Sequence, residues 1–229
     1  MVFNTTKTIL KIQSLIKDLV VSMDPDPDTP PRKGSGRRTT RKEAPGAFNG
    51  IAIESKSKNH ANVSVIVGEQ PGLEIEIDDD LQEIIEVENK NSKLYIRSKV
   101  KYEAKDGLKI RISTQSLSTV EIEGAVAMDV KNYQHDDFSA NMAGSIRLKV
   151  NGTTKNATVV SNGSASEIDL SGLKAEKMKM MLNGNGNARV NSTEKLQVTI
   201  NGTGNVRYQG NPAQVNKTIN GVGFVSPEN

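Results

Sequence analysis

Six glycines, Gly124, Gly144, Gly163, Gly184, Gly202 and Gly221, divide the second half of the chain at steps of 20, 19, 21, 18 and 19 residues. Each step holds two short runs in which apolar and polar residues alternate. The clearest reads Leu196-Gln197-Val198-Thr199-Ile200-Asn201-Gly202-Thr203-Gly204-Asn205-Val206-Arg207-Tyr208, and the phrase returns at Met178–Val190 and Val215–Val225. Alternation with period two puts every second side chain on one face and marks half-buried strands. Recurrence near 20 residues marks a structural repeat. Two architectures satisfy these facts. Asn-Gly between alternating strands signals a hairpin, which would give an antiparallel meander. The same corner repeated each turn also suits a solenoid, in which equivalent residues stack. Val120/Ile122, Ala140/Met142 and Val198/Ile200 would then point inward, and Asn183, Asn201 and Asn220 would form a corner ladder. Asn and Gly suit such a corner because they tolerate positive φ.

The alternation starts well before the repeats. Ile51 and Ile53, then Val63, Val65 and Val67, then Leu73, Ile75 and Ile77 stand at strand spacing, and Leu94, Ile96, Leu108, Ile110 and Ile112 resume it. Charge is segregated here. Residues 69–88 hold nine acidic and no basic residues, whereas residues 89–111 hold eight basic and two acidic ones. Asp78-Asp79-Asp80 offers the hard oxygen ligands of a calcium site but lacks the spacing of a dedicated loop. Cross-strand pairing of an acidic face with a basic neighbour accounts for the same residues.

Ahead of these strands, Ile9, Ile12, Leu15, Ile16, Leu19 and Val20 stand at helical spacing and predict an amphipathic helix over 1–23, packed on the domain. Its polar interruptions make neither a signal peptide nor a membrane span. Residues 24–47 read as a flexible Pro/Arg-rich linker, from Asp24-Pro25-Asp26-Pro27 to the cluster Arg32, Lys33, Arg37, Arg38, Arg41 and Lys42. That cluster could make weak contact with an anionic surface. Without interleaved aromatics it gives no basis for specific nucleic-acid binding. The folded domain is expected over 48–229. Its low apolar content, 35% for the whole chain, suits a thin elongated core.

Four phrases, in order, resemble the head GIN domain of the putative auto-transporter adhesin family. They are Phe48-Asn49-Gly50-Ile51-Ala52-Ile53, the segment from Leu81 to Leu94-Tyr95-Ile96, Leu117-Ser118-Thr119-Val120-Glu121-Ile122-Glu123-Gly124, and Gly202-Thr203-Gly204-Asn205-Val206-Arg207-Tyr208-Gln209-Gly210-Asn211-Pro212. The resemblance implies an all-β fold, a right-handed single-stranded parallel β-helix. It also implies a cell-envelope or extracellular location, usually behind a signal that this N-terminus does not display. It implies no catalytic, cofactor-binding or metal-binding residue.

The residues themselves supply no reactive constellation. There is no Cys, and the two histidines, His60 and His135, are far apart in sequence. Gly184-Asn185-Gly186 and Gly202-Thr203-Gly204 lie between strands rather than at the start of a helix, so they are not phosphate loops. Glu167, Asp169 and Glu176, the carboxylates a polysaccharide-acting β-helix enzyme would need, do not recur in register. The absence of Trp and the scarcity of Tyr and Phe disfavour a stacking platform for sugars or bases. The expectation is a non-enzymatic β-solenoid acting as an adhesin-like or envelope module toward a surface polymer or a protein. A self-associating cytoplasmic scaffold of the bactofilin type is the alternative, and a polysaccharide-acting enzyme is the second.

Overall fold

The computed structural model describes residues 29–228. The expected helix over 1–23 and the first residues of the linker lie outside the described residues. Strands follow one another as β1 (Arg32–Lys33), β2 (Arg38–Glu43), β3 (Gly50–Ser55), β4 (Ala61–Val67) and β5 (Gly72–Asp78). A 3-10 helical segment, Asp79–Ile84, leads to β6 (Ile85–Lys90), β7 (Lys93–Ser98), β8 (Tyr102–Glu103) and β9 (Lys109–Thr114). The repeat region supplies β10 (Thr119–Gln134), β11 (Asp137–Ser161), β12 (Ala165–Leu182), β13 (Asn185–Ile200), β14 (Thr203–Gln209), β15 (Gln214–Ile219) and β16 (Val222–Pro227).

From β10 onward every pairing is parallel, in the order β10, β11, β12, β13, then β14 with β15, then β16. The Asn-Gly steps are therefore corners of a coil and not hairpin turns, and the chain forms a β-solenoid of about five turns. The register stacks like on like. Val120 lies beside Ala140 and Ile122 beside Met142, while Met180 lies beside Val198 and Leu182 beside Ile200. These side chains point inward and are buried. Each successive turn lays its apolar column on the previous one at the spacing of about 4.8 Å set by strand hydrogen bonding. The core is thus a narrow prism, consistent with the low apolar content.

The six repeat glycines fall in one ladder, continued upstream by Ser55 opposite Gly124. The reason for glycine differs from the expected one. Gly124 and Gly144 do have positive φ, 98° and 117°, but Gly184, Gly202 and Gly221 do not. What they share is proximity. A Cβ on Gly184, Gly202 or Gly221 would strike the carbonyl of Gly163, Gly184 or Gly202 respectively. The second glycine of each Gly-x-Gly phrase belongs to another column, in which Ala61, Val126 and Ile146 give way to Ser166, Gly186, Gly204 and Gly223. Side-chain volume in this column peaks at Ile146 and then falls through Ser166 to the three glycines.

The first two rungs are stacked out of chain order. β3 and β4 form one rung, and β10 lies parallel to both. On the opposite side of that rung, β7 pairs parallel with β3 and β9 with β4. Residues 93–114 therefore sit outside 50–67, and the chain passes across that rung to begin the repeats at Thr119. Beyond β7 and β9 the strand direction reverses. β6 pairs antiparallel with β7, β5 with β9, and β2 with β5. The 3-10 segment packs against β2, β5 and β6 and buries Leu81 and Ile84. This end of the solenoid is closed.

The structure corrects the reading of 24–47 as a flexible linker. Arg38–Glu43 is a strand in register with β5, setting Lys42 beside Glu74 and Arg38 beside Asp78. It escaped notice because an edge strand made of charges carries no apolar alternation.

Candidate functional site

Glu74 and Glu76, on the outward face of β5, are each held from both sides. Glu74 meets Lys42 at 2.6 Å and Arg111 at 3.3 Å, and Glu76 meets Arg38 at 3.1 Å and Lys109 at 3.2 Å. The hydrogen bond from Lys42 holds the Glu74 carboxyl below the ordinary glutamate range, and those from Lys109 and Arg38 do the same for Glu76. This is the cross-strand pairing expected from the segregated charges, with β2 as an unforeseen second cationic neighbour. The acidic triple is engaged in a similar way. Ser35 Oγ donates to Asp79 at 2.6 Å, Ser35 N to Asp80 at 2.9 Å and Gly36 N to Asp78 at 3.0 Å, while Arg37 lies 3.0 Å from Asp79. These carboxylates fasten the Gly34–Arg38 loop to the closed end. Among the described residues no group of three or more His, Asp or Glu could hold a metal ion. Of the basic cluster, Arg32, Arg37, Arg38, Arg41 and Lys42 all make ion pairs within the chain.

A different surface gathers chemistry. The side wall built from β9, β4 and the later strands presents two columns of outward side chains. One runs Lys109, Asn62, Ala127, Arg147, Glu167, Asn187, Asn205 and Phe224. The other runs Arg111, Ser64, Asp129, Lys149, Asp169, Arg189, Arg207 and Ser226. Short side chains at Asn62, Ser64 and Ala127 are flanked by long cationic ones on either side, Lys109 and Arg111, then Arg147 and Lys149. The result is a depression of about 470 Å³. Asp129 stands within it, one carboxylate oxygen buried without a hydrogen-bond partner and the other 3.7 Å from Lys131.

The wall also brings together two of the three carboxylates that looked scattered. Glu167 and Asp169 share the outer face of β12, with Arg147 3.6 Å from Glu167 and Lys149 and Arg189 in register on either side of Asp169. Glu176 lies in a separate stretch of β12, where its backbone carbonyl accepts from Ser192 Oγ. Burial pushes the Asp169 carboxyl up, but the Ser171 hydroxyl and amide, together with Lys149 and Arg189, outweigh it and hold the group below its ordinary value. Such a carboxylate stays ionised at neutral pH and is suited to pairing, not to delivering a proton. The histidines are apart: His60 Nε2 lies 3.2 Å from Ser145 Oγ, and His135 Nδ1 accepts from the Asp137 amide at 3.2 Å within its own turn. Sequence reading missed the wall because its columns join residues 18 to 65 positions apart, and charge alternates along the axis instead of along the chain.

The corner next to this wall carries the expected asparagine ladder, longer than foreseen. Asn183 donates to Asn162 at 2.7 Å, Asn201 to Asn183 at 2.7 Å and Asn220 to Asn201 at 2.8 Å. Asn162 extends the line toward Asn141 at 3.5 Å.

With this geometry in place, the model of the putative auto-transporter adhesin head GIN domain family matches residues 47–212. The chain belongs to that family. Solved structures share the GIN domain's fold. One described as a putative adhesin from Bacteroides fragilis is 19% identical with a TM-score of 0.65, covering 86% of this chain and 99% of that one. A putative adhesin from Parabacteroides merdae is 18% identical with a TM-score of 0.55, covering 86% and 98%. A structure from Parabacteroides distasonis described as a putative lipid binding protein is 16% identical with a TM-score of 0.53, covering 87% and 100%. No curated protein matches the chain.

Proposed function

We propose that this GIN domain is a non-catalytic, adhesin-like module of the cell envelope that holds a surface polymer or protein along its side wall. The observation that carries this reading is the wall itself. Eight stacked strands set mostly charged and amide side chains in two columns, and a depression interrupts them where Asn62, Ser64 and Ala127 are short. A rigid ladder of this kind suits an extended partner, since its groups are positioned before binding and little ordering entropy is lost. Carboxylates held as ion pairs support binding over turnover. Membership in an adhesin domain family supports placement at the envelope.

The test is binding of the purified chain to intact cells and to extracted envelope polymers, comparing wild type with Arg147→Glu/Lys149→Glu. Loss of binding at an unchanged melting temperature is the expected result. Undiminished binding by the double variant would remove the wall as the site. Depolymerisation of a polysaccharide by the wild type, lost in Asp169→Asn, would replace the binding reading with an enzymatic one. Fractionation of the native protein tests its placement, and recovery in the cytoplasm alone would overturn the envelope reading.

A further inference from the structure

The two ends of the solenoid differ. At the N-terminal end the direction reversal in β2, β5 and β6 closes the core, and the last strand, β2, carries Arg38, Arg41, Lys42 and Glu43 along its length. Charged side chains on an edge oppose addition of a further strand. At the C-terminal end, β15 is paired only with β13 and β16 only with β14 among the described strands, leaving one edge of each open. The exposed large apolar side chains of the described residues are all on this last rung: Ile219 is 41% exposed, Val222 70% and Phe224 43%. Ile219 continues the inward column of Ile200, which is fully buried one turn earlier. Phe224 continues an outward column that reads Asn187 and Asn205 in the two preceding turns, so the wall turns apolar at its final position. Open edges beside exposed apolar groups mark a contact surface.

We propose that this end binds a second copy of the same chain, tail to tail, with β15 of each copy pairing antiparallel with β16 of the other about a two-fold axis near Val222.

Three observations select that occupant. First, residues 210–228 hold one cation and one anion, Lys217 and Glu228, so two such ends meet without net repulsion. Lys217 is already drawn across the end, donating to the Val225 carbonyl at 2.7 Å. Second, a strand laid on this rung faces backbone at Gly221 and Gly223; the column of Gly221 is glycine in every repeat turn and that of Gly223 in the last three, where a Cβ would collide with a carbonyl of the turn before. A two-fold axis near Val222 satisfies that demand from the sequence itself, setting Gly221 of one copy opposite Gly223 of the other. Third, the edge strand at the closed end, β2, carries charged side chains that oppose strand addition, so head-to-tail growth is disfavoured and the isologous contact ends at two copies. The assembly is thus a closed dimer and not a filament.

The chain has no cysteine, so a single introduced thiol reports one contact. Val222→Cys in the full chain should oxidise to a covalent dimer, because a residue beside a two-fold axis meets its own equivalent. Lys42→Cys, at the closed end, should not. Sedimentation over a wide concentration range should show monomer and dimer and nothing larger. Phe224→Asp, which removes one apolar side chain from each copy, should weaken the dimer at least about tenfold, with the melting temperature unchanged at dilutions where the wild type is monomeric. A wild-type chain that is monomeric throughout, a series of larger species, or covalent dimers from Lys42→Cys but not Val222→Cys would each overturn the proposal.

Discussion

Gly202 and Gly124 separate two reasons for glycine at a corner. At Gly202 the backbone is one that other residues adopt, and the obstacle is the Gly184 carbonyl in the path of a Cβ. Gly202→Ala is expected to cost about 1–3 kcal/mol, the range of forced overpacking. At Gly124 the Ser55 carbonyl stands in the same position and φ is 98°, so Gly124→Ala carries an additional left-handed backbone penalty of about 1–2 kcal/mol. Urea unfolding should rank Gly124→Ala below Gly202→Ala, and equal midpoints would refute the distinction. The asparagine ladder makes a second prediction. The Asn201 side chain both donates to Asn183 and accepts from Asn220, whereas the Asn220 side chain makes only the one bond. With a net value of about 0.5–1.5 kcal/mol per hydrogen bond, Asn201→Ala should destabilise about twice as much as Asn220→Ala. The ladder was legible in the sequence because identical residues recurred at the repeat spacing. The φ values were not, since steric demand from a neighbouring turn leaves the same glycine in the sequence as a left-handed bend does.

Strand β2 shows how an element can be invisible on its own and required by its neighbours. Arg38 donates to the Gly107 carbonyl at 2.6 Å, pairs with Glu76, and lies 3.5 Å from Asp78, whose side chain is fully buried and whose Oδ1 has no hydrogen-bond partner. Arg38→Met leaves that carboxylate uncompensated and is expected to cost about 3–5 kcal/mol, with part recovered when Asp78→Asn is added. No recovery in the double variant would mean that Arg38 acts through packing alone. The same strand gives the closed end a pH signature. Glu74 and Glu76 both titrate below their ordinary value when folded, so their stabilisation is present above the unfolded value of about 4.3 and lost as pH falls through the lower folded values. Exposure and salt screening keep the effect modest. Protection of the β2 and β5 amides, taken relative to their intrinsic exchange rate at each pH, should fall on acidification below about pH 4, and Glu74→Gln/Glu76→Gln should flatten that response. The apolar strands from Ile51 to Ile112 were readable from period-two alternation. β2 was not, because its partner determines its conformation and that partner lies thirty to forty residues away.

Across the whole molecule, the repeat fixed a coil or a meander, and family resemblance decided between them; the parallel register then bore out the solenoid. The side wall was hidden, since Arg147, Glu167 and Asp169 become neighbours only once turns stack with one exact register. The out-of-order rung was equally hidden, because nothing in residues 93–114 says which side of 50–67 they will occupy. That rung has a consequence for how the chain acquires its structure during synthesis. Residues 50–67 cannot complete either flank until 93–114 and then 119–131 have been made, so the early part must close as one cooperative knot of distant contacts. Everything after it grows by apposition, each new turn finding its template already standing. Shortening the chain from its C-terminal side should therefore erode stability turn by turn. Removing residues 29–67 should abolish folding outright, for it takes away the surface on which all later growth depends.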